Sequence, residues 1–214
     1  MTPYVEYPYT TPVSNPSHEY LAPVLRALLR QVQPHASFLD LGCGNGFLTA
    51  VAAAAGRKVV AVDLSVSGVT LARECYPGIL FLEGDVCGDL PLKLQRESFD
   101  VVTCLEVIEH VYAPRALLAN CRRALKPGGM LILSTPYHGY WKNLALAVTG
   151  KLDDHFTALW DGGHIKFWSR RTLFRLLDET GFRGPQFFGV GRIPYLWKSM
   201  IVTSRKPEMT ASPG

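Results

Sequence analysis

The chain has 214 residues, 48% of them hydrophobic, which suffices for one well-packed core and is short for two. A net charge of +4 without a dense basic stripe argues against a nucleic-acid binder, and no run of about 18 uncharged apolar residues offers a membrane span. Five scattered cysteines without a CxxC pair suit reduced thiols in a cytoplasm-like compartment, and the first twenty residues lack the basic-then-apolar layout of a secretory signal.

Residues 1–17, rich in Pro, Tyr, Thr and Ser, show no period and read as an arm. Apolar residues at helical spacing predict a helix from His18 to Val32. Short apolar runs then alternate with helical patterns. "SFLDL" is followed by "GFLTAVAAAAG", "KVVAVDL" by "SGVTLARECY", and "ILFLEGDV" comes next; "FDVVTCL" precedes "PRALLANCRRAL" and then "GMLILSTP". Strands alternating with helices predict an α/β domain over 18–205 with a largely parallel sheet covered on both faces. Residues 137–164 interrupt the rhythm, being too long for a simple connection, and read as a lid or substrate insertion. A helix in "SRRTLFRLLDETGF" and strands in "PQFFGVG" and "LWKSMIVTS" complete the domain, and 206–214 reads as a tail.

Two places carry chemistry. In "FLDLGCGNGFLTA" a strand runs into a glycine turn and a helix start: Gly42, Gly44 and Gly46 allow a sharp turn and close approach of a ligand, toward which the first N–H groups of the helix would point. Asp63 ends the next strand about 20 residues on, where a carboxylate can accept from two ribose hydroxyls. The dinucleotide pattern GxGxxG fails, because its last glycine would fall at Phe47. The second place is "CLEVIEHV", which sets Glu106, Glu109 and His110 after a core strand. On a helical turn they stand at i, i+3 and i+4 and share one side, which suits a hard divalent cation or an acid–base site. A solvated, capped helix start is the other reading.

The G-C-G-N-G turn preceded by Asp40 resembles motif I of class I S-adenosylmethionine-dependent methyltransferases. "EGDV", "FDVVTCLEVIEHV" and "LKPGGMLILSTP" resemble later elements of that family, in the family's order, over residues 38–136. The resemblance implies a Rossmann-like seven-stranded sheet in the order 3-2-1-4-5-7-6, with strand seven antiparallel. It also implies that Asp40, Gly42, Cys43, Gly44, Asn45 and Gly46 shape the methionine and ribose pocket. Asp63 would hold the ribose diol with Leu64 beside it, Asp85 and Val86 would border the adenine, and Leu105 would pack against the cofactor. A cationic sulfonium on a neutral adenosine calls for carboxylates such as Asp40, Asp63, Glu83 and Asp85 rather than a phosphate cradle; a nicotinamide dehydrogenase is the structural alternative.

The E-x-x-E-H pattern resembles the ubiquinone-biosynthesis O-methyltransferases and the small-RNA 3′-end 2′-O-methyltransferases, both associated with a divalent metal. That implies Glu106, Glu109 and His110 as ligands of Mg²⁺ or a similar ion, with His164 as fourth ligand or general base and His110 close to the chemistry. His138 and His155 are weaker candidates. The layout after strand five is closer to the ubiquinone group, which implies a small-molecule acceptor such as a polyprenyl phenol or catechol. A saccharide, another natural product or an RNA end is the alternative, and a silent cofactor-binding subunit is the non-enzymatic one. Trp141, Leu144, Ala145, Leu146 and Val148 would make an apolar face for a lipid tail or membrane interface, or equally pack as core over the sheet.

Overall fold

A computed structural model describes residues 9–11, 15–54, 56–156 and 158–208. Much of the expected arm and most of the expected tail therefore lie outside the described residues. The first helix, α1 (Pro16–Leu29), starts two residues before the expected position. Asn15 is its cap: Asn15 Oδ1 accepts the N–H groups of Ser17 and His18, while His18 Nδ1 accepts the Asn15 N–H, and Pro16 fits the first turn. Leu21, Ala22, Leu25, Leu28 and Leu29 form its buried face.

The strands are β1 (Ser37–Leu41), β2 (Lys58–Asp63), β3 (Leu80–Glu83), β4 (Phe99–Leu105), β5 (Leu125–Pro136), β6 (Arg183–Val190) and β7 (Ser199–Arg205). They form one sheet in the order β3-β2-β1-β4-β5-β7-β6, in which β7 runs antiparallel to both of its neighbours. The intervening helices are α2 (Phe47–Ala53), α3 (Val66–Cys75), α4 (Pro114–Ala124), α5 (Tyr140–Val148), α6 (Leu152–Phe156) and α7 (Arg170–Glu179). The insertion thus contains two short helices, α5 and α6. No described helix is long and apolar enough to cross a membrane.

Side chains alternate between two cores because successive strand residues point to opposite faces. Leu39, Val102, Leu131 and Val202 pack with Leu117 and Leu118 of α4 and with Leu173 and Leu177 of α7. Their neighbours Phe38, Val101, Ile132 and Ile201 pack with α1 and with Leu48 and Ala52 of α2. Burial on both faces explains why "FDVVTCL" is apolar along its length rather than alternating. All five cysteines are free thiols, and Cys43, Cys104 and Cys121 are buried. The carboxyl ends of β1 to β5 share one edge with the start of β7, since Pro136 pairs with Ser199. Every candidate site residue on a strand end meets there.

Candidate active site

On the β1–β2 side of this edge, Gly42, Gly44 and Gly46 have φ of 87°, 50° and 79°, in the left-handed region that favours glycine. A Cβ on Gly42 would come within 2.2 Å of Val107 Cγ2, so the turn has no room for another residue as it stands. Asp63 ties the turn to β2: its Oδ2 accepts the Gly44 N–H at 2.7 Å and its Oδ1 the Ser65 N–H at 2.8 Å. Gly46 caps α2 without a side-chain bond to the first turn. Asn45 Oδ1 lies 3.3 Å from the Phe47 N–H. Asp40 is 3% exposed and is committed inward, its Oδ2 accepting from Thr49 and its Oδ1 from Thr103 at 2.6 and 2.7 Å. Burial pushes its pKa up to about 6 against those two hydroxyls. Cys43, Val86 and Leu105 are buried, while Leu64 is 38% exposed. Asp85 turns its Oδ1 to the Cys87 N–H.

Residues missed in the sequence complete this side. Tyr9 donates its N–H to Ser67 Oγ, and the Thr11 carbonyl accepts from Asn45 Nδ2 at 3.2 Å. The Tyr9 hydroxyl lies 2.3 Å from where a Gly44 Cβ would stand, so the ring packs on the turn. Its only signal was the tyrosine-rich composition of the arm.

At the end of β4 the chain does not continue as a helix. Glu106 takes φ 56° and residues 108–110 form a turn, so the expected i, i+3, i+4 helical face is absent. The Glu106 carboxylate is held by Ser134 Oγ at 2.7 Å and Ser199 Oγ at 3.2 Å, and Ser199 also meets the Tyr20 hydroxyl. The ligand-capable cluster consists instead of Glu109, His110 and His164, each offering one atom within 4.8 Å of the others. Glu106 lies outside that set in this structure, its carboxylate held by two serine hydroxyls from other strands, while His164 stands within it.

Glu109 is 1% exposed, and neither of its carboxylate oxygens meets strict hydrogen-bond geometry, the Thr135 hydroxyl and its own backbone N–H interacting with it only weakly. Burial, reinforced by the Glu106 charge, holds its pKa well above the usual carboxylate range; Glu106 itself is pushed up to about 7 by burial. A carbonyl can only accept, so the 3.1 Å contact of His110 Nδ1 with Gly162 O makes Nδ1 the protonated nitrogen and leaves a lone pair on Nε2. The His164 ring lies 4.9 Å from that of His110, and burial lowers its pKa to about 4, keeping it neutral near pH 7. A buried carboxylate that no hydrogen bond of strict geometry satisfies, beside two neutral imidazoles, fits a divalent cation. A surface cavity of about 300 Å³ lined by Glu97, Arg122 and Lys206 lies at the opposite sheet edge, where Lys206 already pairs with Glu97.

A family profile described as a methyltransferase domain matches residues 14–185. A ubiquinone biosynthesis O-methyltransferase of Xanthomonas campestris pv. campestris is 34% identical over 168 residues, covering 71% of this chain and 68% of that protein. The protein of the same name from Xanthomonas oryzae pv. oryzae is 42% identical over 162 residues, 68% of this chain and 65% of the relative. Among solved structures, phosphoethanolamine N-methyltransferase 2 of Haemonchus contortus, in complex with S-adenosyl-L-methionine, superposes with a TM-score of 0.64. It shares 17% identity over 87% of this chain and 53% of that one, a likeness of fold alone. The strand order, the glycine turn and these relatives agree: the chain belongs to the class I S-adenosylmethionine-dependent methyltransferases, in the group of the ubiquinone-biosynthesis O-methyltransferases.

Proposed function

We propose that the protein methylates a hydroxyl of a small aromatic acceptor, a polyprenyl phenol or catechol, with a divalent cation held by Glu109, His110 and His164. The carrying observation is the buried Glu109 carboxylate, which no hydrogen bond of strict geometry satisfies, with ligand atoms of His110 and His164 within 4.8 Å of it. The cation would lower the pKa of the acceptor hydroxyl and fix its oxygen. Bound S-adenosylmethionine supplies an electrophilic methyl group on a sulfonium.

The chain's own residues do the rest. Residues 42–46 and Asp63 hold the cofactor, Asp63 accepting from the ribose hydroxyls. Asp85, Val86, Leu64 and Leu105 border the adenosine, and Asp40 braces the turn from below through Thr49 and Thr103. His110 is oriented by the Gly162 carbonyl, while Ser134 and Ser199 keep Glu106 at the rim of the acceptor side. The insertion and the Tyr9 segment exclude water from the two sides, which strengthens each charge interaction within.

The outward side of α5 supports the apolar tail. Trp141 is 59% exposed, Val148 78% and Leu144 40%, so these residues are surface rather than core. They suit a polyprenyl chain or a membrane interface. Transfer of labelled methyl to catechol, with and without a chelator, tests the proposal together with calorimetric metal binding by Glu109→Gln. Loss of metal binding in the variant and suppression of transfer by the chelator, with cofactor affinity little changed, are expected. Chelator-indifferent transfer with normal activity in Glu109→Gln would overturn it.

A further inference from the structure

The first described residues touch both sides of the site. On the glycine turn, Tyr9 donates its N–H to Ser67 Oγ at 3.2 Å, and the Thr11 carbonyl accepts from Asn45 Nδ2 at 3.2 Å. The other end of the Asn45 amide meets the N–H of Phe47, whose ring stacks on that of His18 with centroids 4.9 Å apart and planes 2° from parallel. His18 closes the capping box of α1 with Asn15. The glycine turn is thereby tied to the first turn of α1.

Two residues beyond His18, Tyr20 reaches the other side. Its hydroxyl lies 3.3 Å from Ser199 Oγ, 179 positions away in the chain. Ser199 Oγ donates its only proton to Glu106 Oε2 at 3.2 Å, so Tyr20 is the donor in its own contact with Ser199. Burial, and after it the Glu106 charge, push the Tyr20 hydroxyl up to about 12, which keeps that proton in place near neutral pH. The Lys198 ammonium stands 5.3 Å from the centre of the Tyr20 ring and steadies it.

Glu106 is the residue such a chain of contacts can move. Its φ of 56° is one that side chains rarely adopt, and a conformation of that kind persists only where the surroundings hold it. One holder is fixed by the sheet: Ser134, paired with Leu105 on one side and Ile201 on the other, takes the Glu106 N–H and donates to Oε1. The second is Ser199, whose hydroxyl can rotate and is oriented by Tyr20 from α1. At the far end of the stretch Thr11 is exposed and Tyr9 half-buried, and contacts so placed open at little cost unless a ligand rests on them.

We propose that Tyr20 is a positioning residue for Glu106, and that a cofactor seated on the glycine turn tightens the contacts of Tyr9, Thr11 and His18 and through Tyr20 fixes the acceptor-side carboxylate. The proposal rests on the cofactor site at residues 42–46 and Asp63 and needs neither the cation nor a particular acceptor. Amide hydrogen exchange of the full chain is followed with and without saturating S-adenosylhomocysteine, for the wild type, Tyr20→Phe and Tyr9→Ala. In the wild type the ligand is expected to slow exchange at 42–46, at 17–25 and at 105–107, each by about fivefold or more. Tyr20→Phe keeps the ring and loses the hydroxyl, so slowing at 42–46 and 17–25 should persist while slowing at 105–107 disappears. Tyr9→Ala should lose it at 17–25 and at 105–107. A wild type in which slowing stops at 42–46, or a Tyr20→Phe that keeps it at 105–107, would overturn the proposal. So would a Tyr20→Phe that speeds exchange at 105–107 equally with and without ligand, the signature of a hydroxyl needed only for structure. Unchanged exchange at 42–46 with the ligand bound by calorimetry would remove the cofactor site and the proposal together. Failure of the O-methyl-transfer reading looks different: catechol is not methylated while the exchange pattern stands.

Discussion

Replacing Asp63 by Asn separates two jobs that one carboxylate performs. Its Oδ2 takes the Gly44 N–H at 2.7 Å and its Oδ1 the Ser65 N–H at 2.8 Å. The amide keeps one acceptor oxygen, so one of these N–H groups then faces an NH₂ donor. Leaving that backbone donor without a partner costs about 1–3 kcal/mol of stability. The second job, in the function proposed above, is the ribose diol, whose charge-assisted bonds would lose about 1.5–3 kcal/mol when the charge disappears. At 1.4 kcal/mol per decade this raises the Kd for S-adenosylhomocysteine about 12- to 140-fold. Calorimetry below the melting transition reads the second effect, and thermal denaturation without ligand reads the first. Ser65→Ala is the control. Ser65 Oγ caps α3 by accepting the Gly68 N–H, so its loss costs about 1 kcal/mol of stability and leaves the Kd within about threefold. A folded Asp63→Asn with a Kd within about threefold of wild type would reduce Asp63 to a tie between turn and strand.

Trp141→Ser with Leu144→Ser should leave stability within about 0.5 kcal/mol, since both side chains are exposed, and lower kcat/KM for long-tailed acceptors more than for truncated ones. Proportional losses on both acceptors would remove the tail-binding role. Gly42→Ala should destabilise by about 1–2 kcal/mol for its φ of 87° alone, with a further loss from the clash at Val107. Adding Val107→Ala should relieve the clash in denaturant melts but not the backbone cost; a Gly42→Ala as stable as wild type would show that the turn has another conformation. Burial lowers His18 to about 4 from 6.5, and its Nδ1 accepts the Asn15 N–H only when unprotonated. Its contribution is therefore complete above about pH 6.5 and is lost as the pH falls toward 4, by about 1 kcal/mol at pH 5 after discounting its residual exposure. The stability advantage of wild type over His18→Gln should shrink from pH 7.5 to 5, and a constant difference would refute the capping role.

The sheet was legible because its strands are buried on both faces, which writes runs such as "FDVVTCL" into the chain, and because Gly44 and Asp63 meet across only 19 positions. The start of α1 was misplaced because its capping box uses His18, where a Glu or Gln would have signalled it. The hydrogen bonds of Glu106 were not legible for a non-local reason: the hydroxyls that hold its carboxylate come from 28 and 93 residues downstream. A helical pattern on Tyr140–Val148 could not say which side faced out, since the core-facing position is a lysine. Tyr9 lay in a stretch with no periodicity to read.

The spans of these bonds also set an order of assembly. On the glycine-turn side, Asp40 reaches Thr49 and Asp63 reaches Gly44, nine and nineteen residues apart, and the longer bonds of Asp40 to Thr103 and Tyr9 to Ser67 still close within the first 103 residues. The acceptor side is closed by His110 with Gly162, Lys142 with Lys198 and Glu106 with Ser199, at 52, 56 and 93 residues. Longer closures cost more chain entropy, and a chain made from its amino end lacks Lys198 and Ser199 until β7 has been synthesised. A nascent chain can therefore form the grip on Asp63 while Glu106 and Lys142 still lack the strand that fixes them. In the function proposed above, the half that would select the acceptor matures last, after the half that would carry the methyl donor.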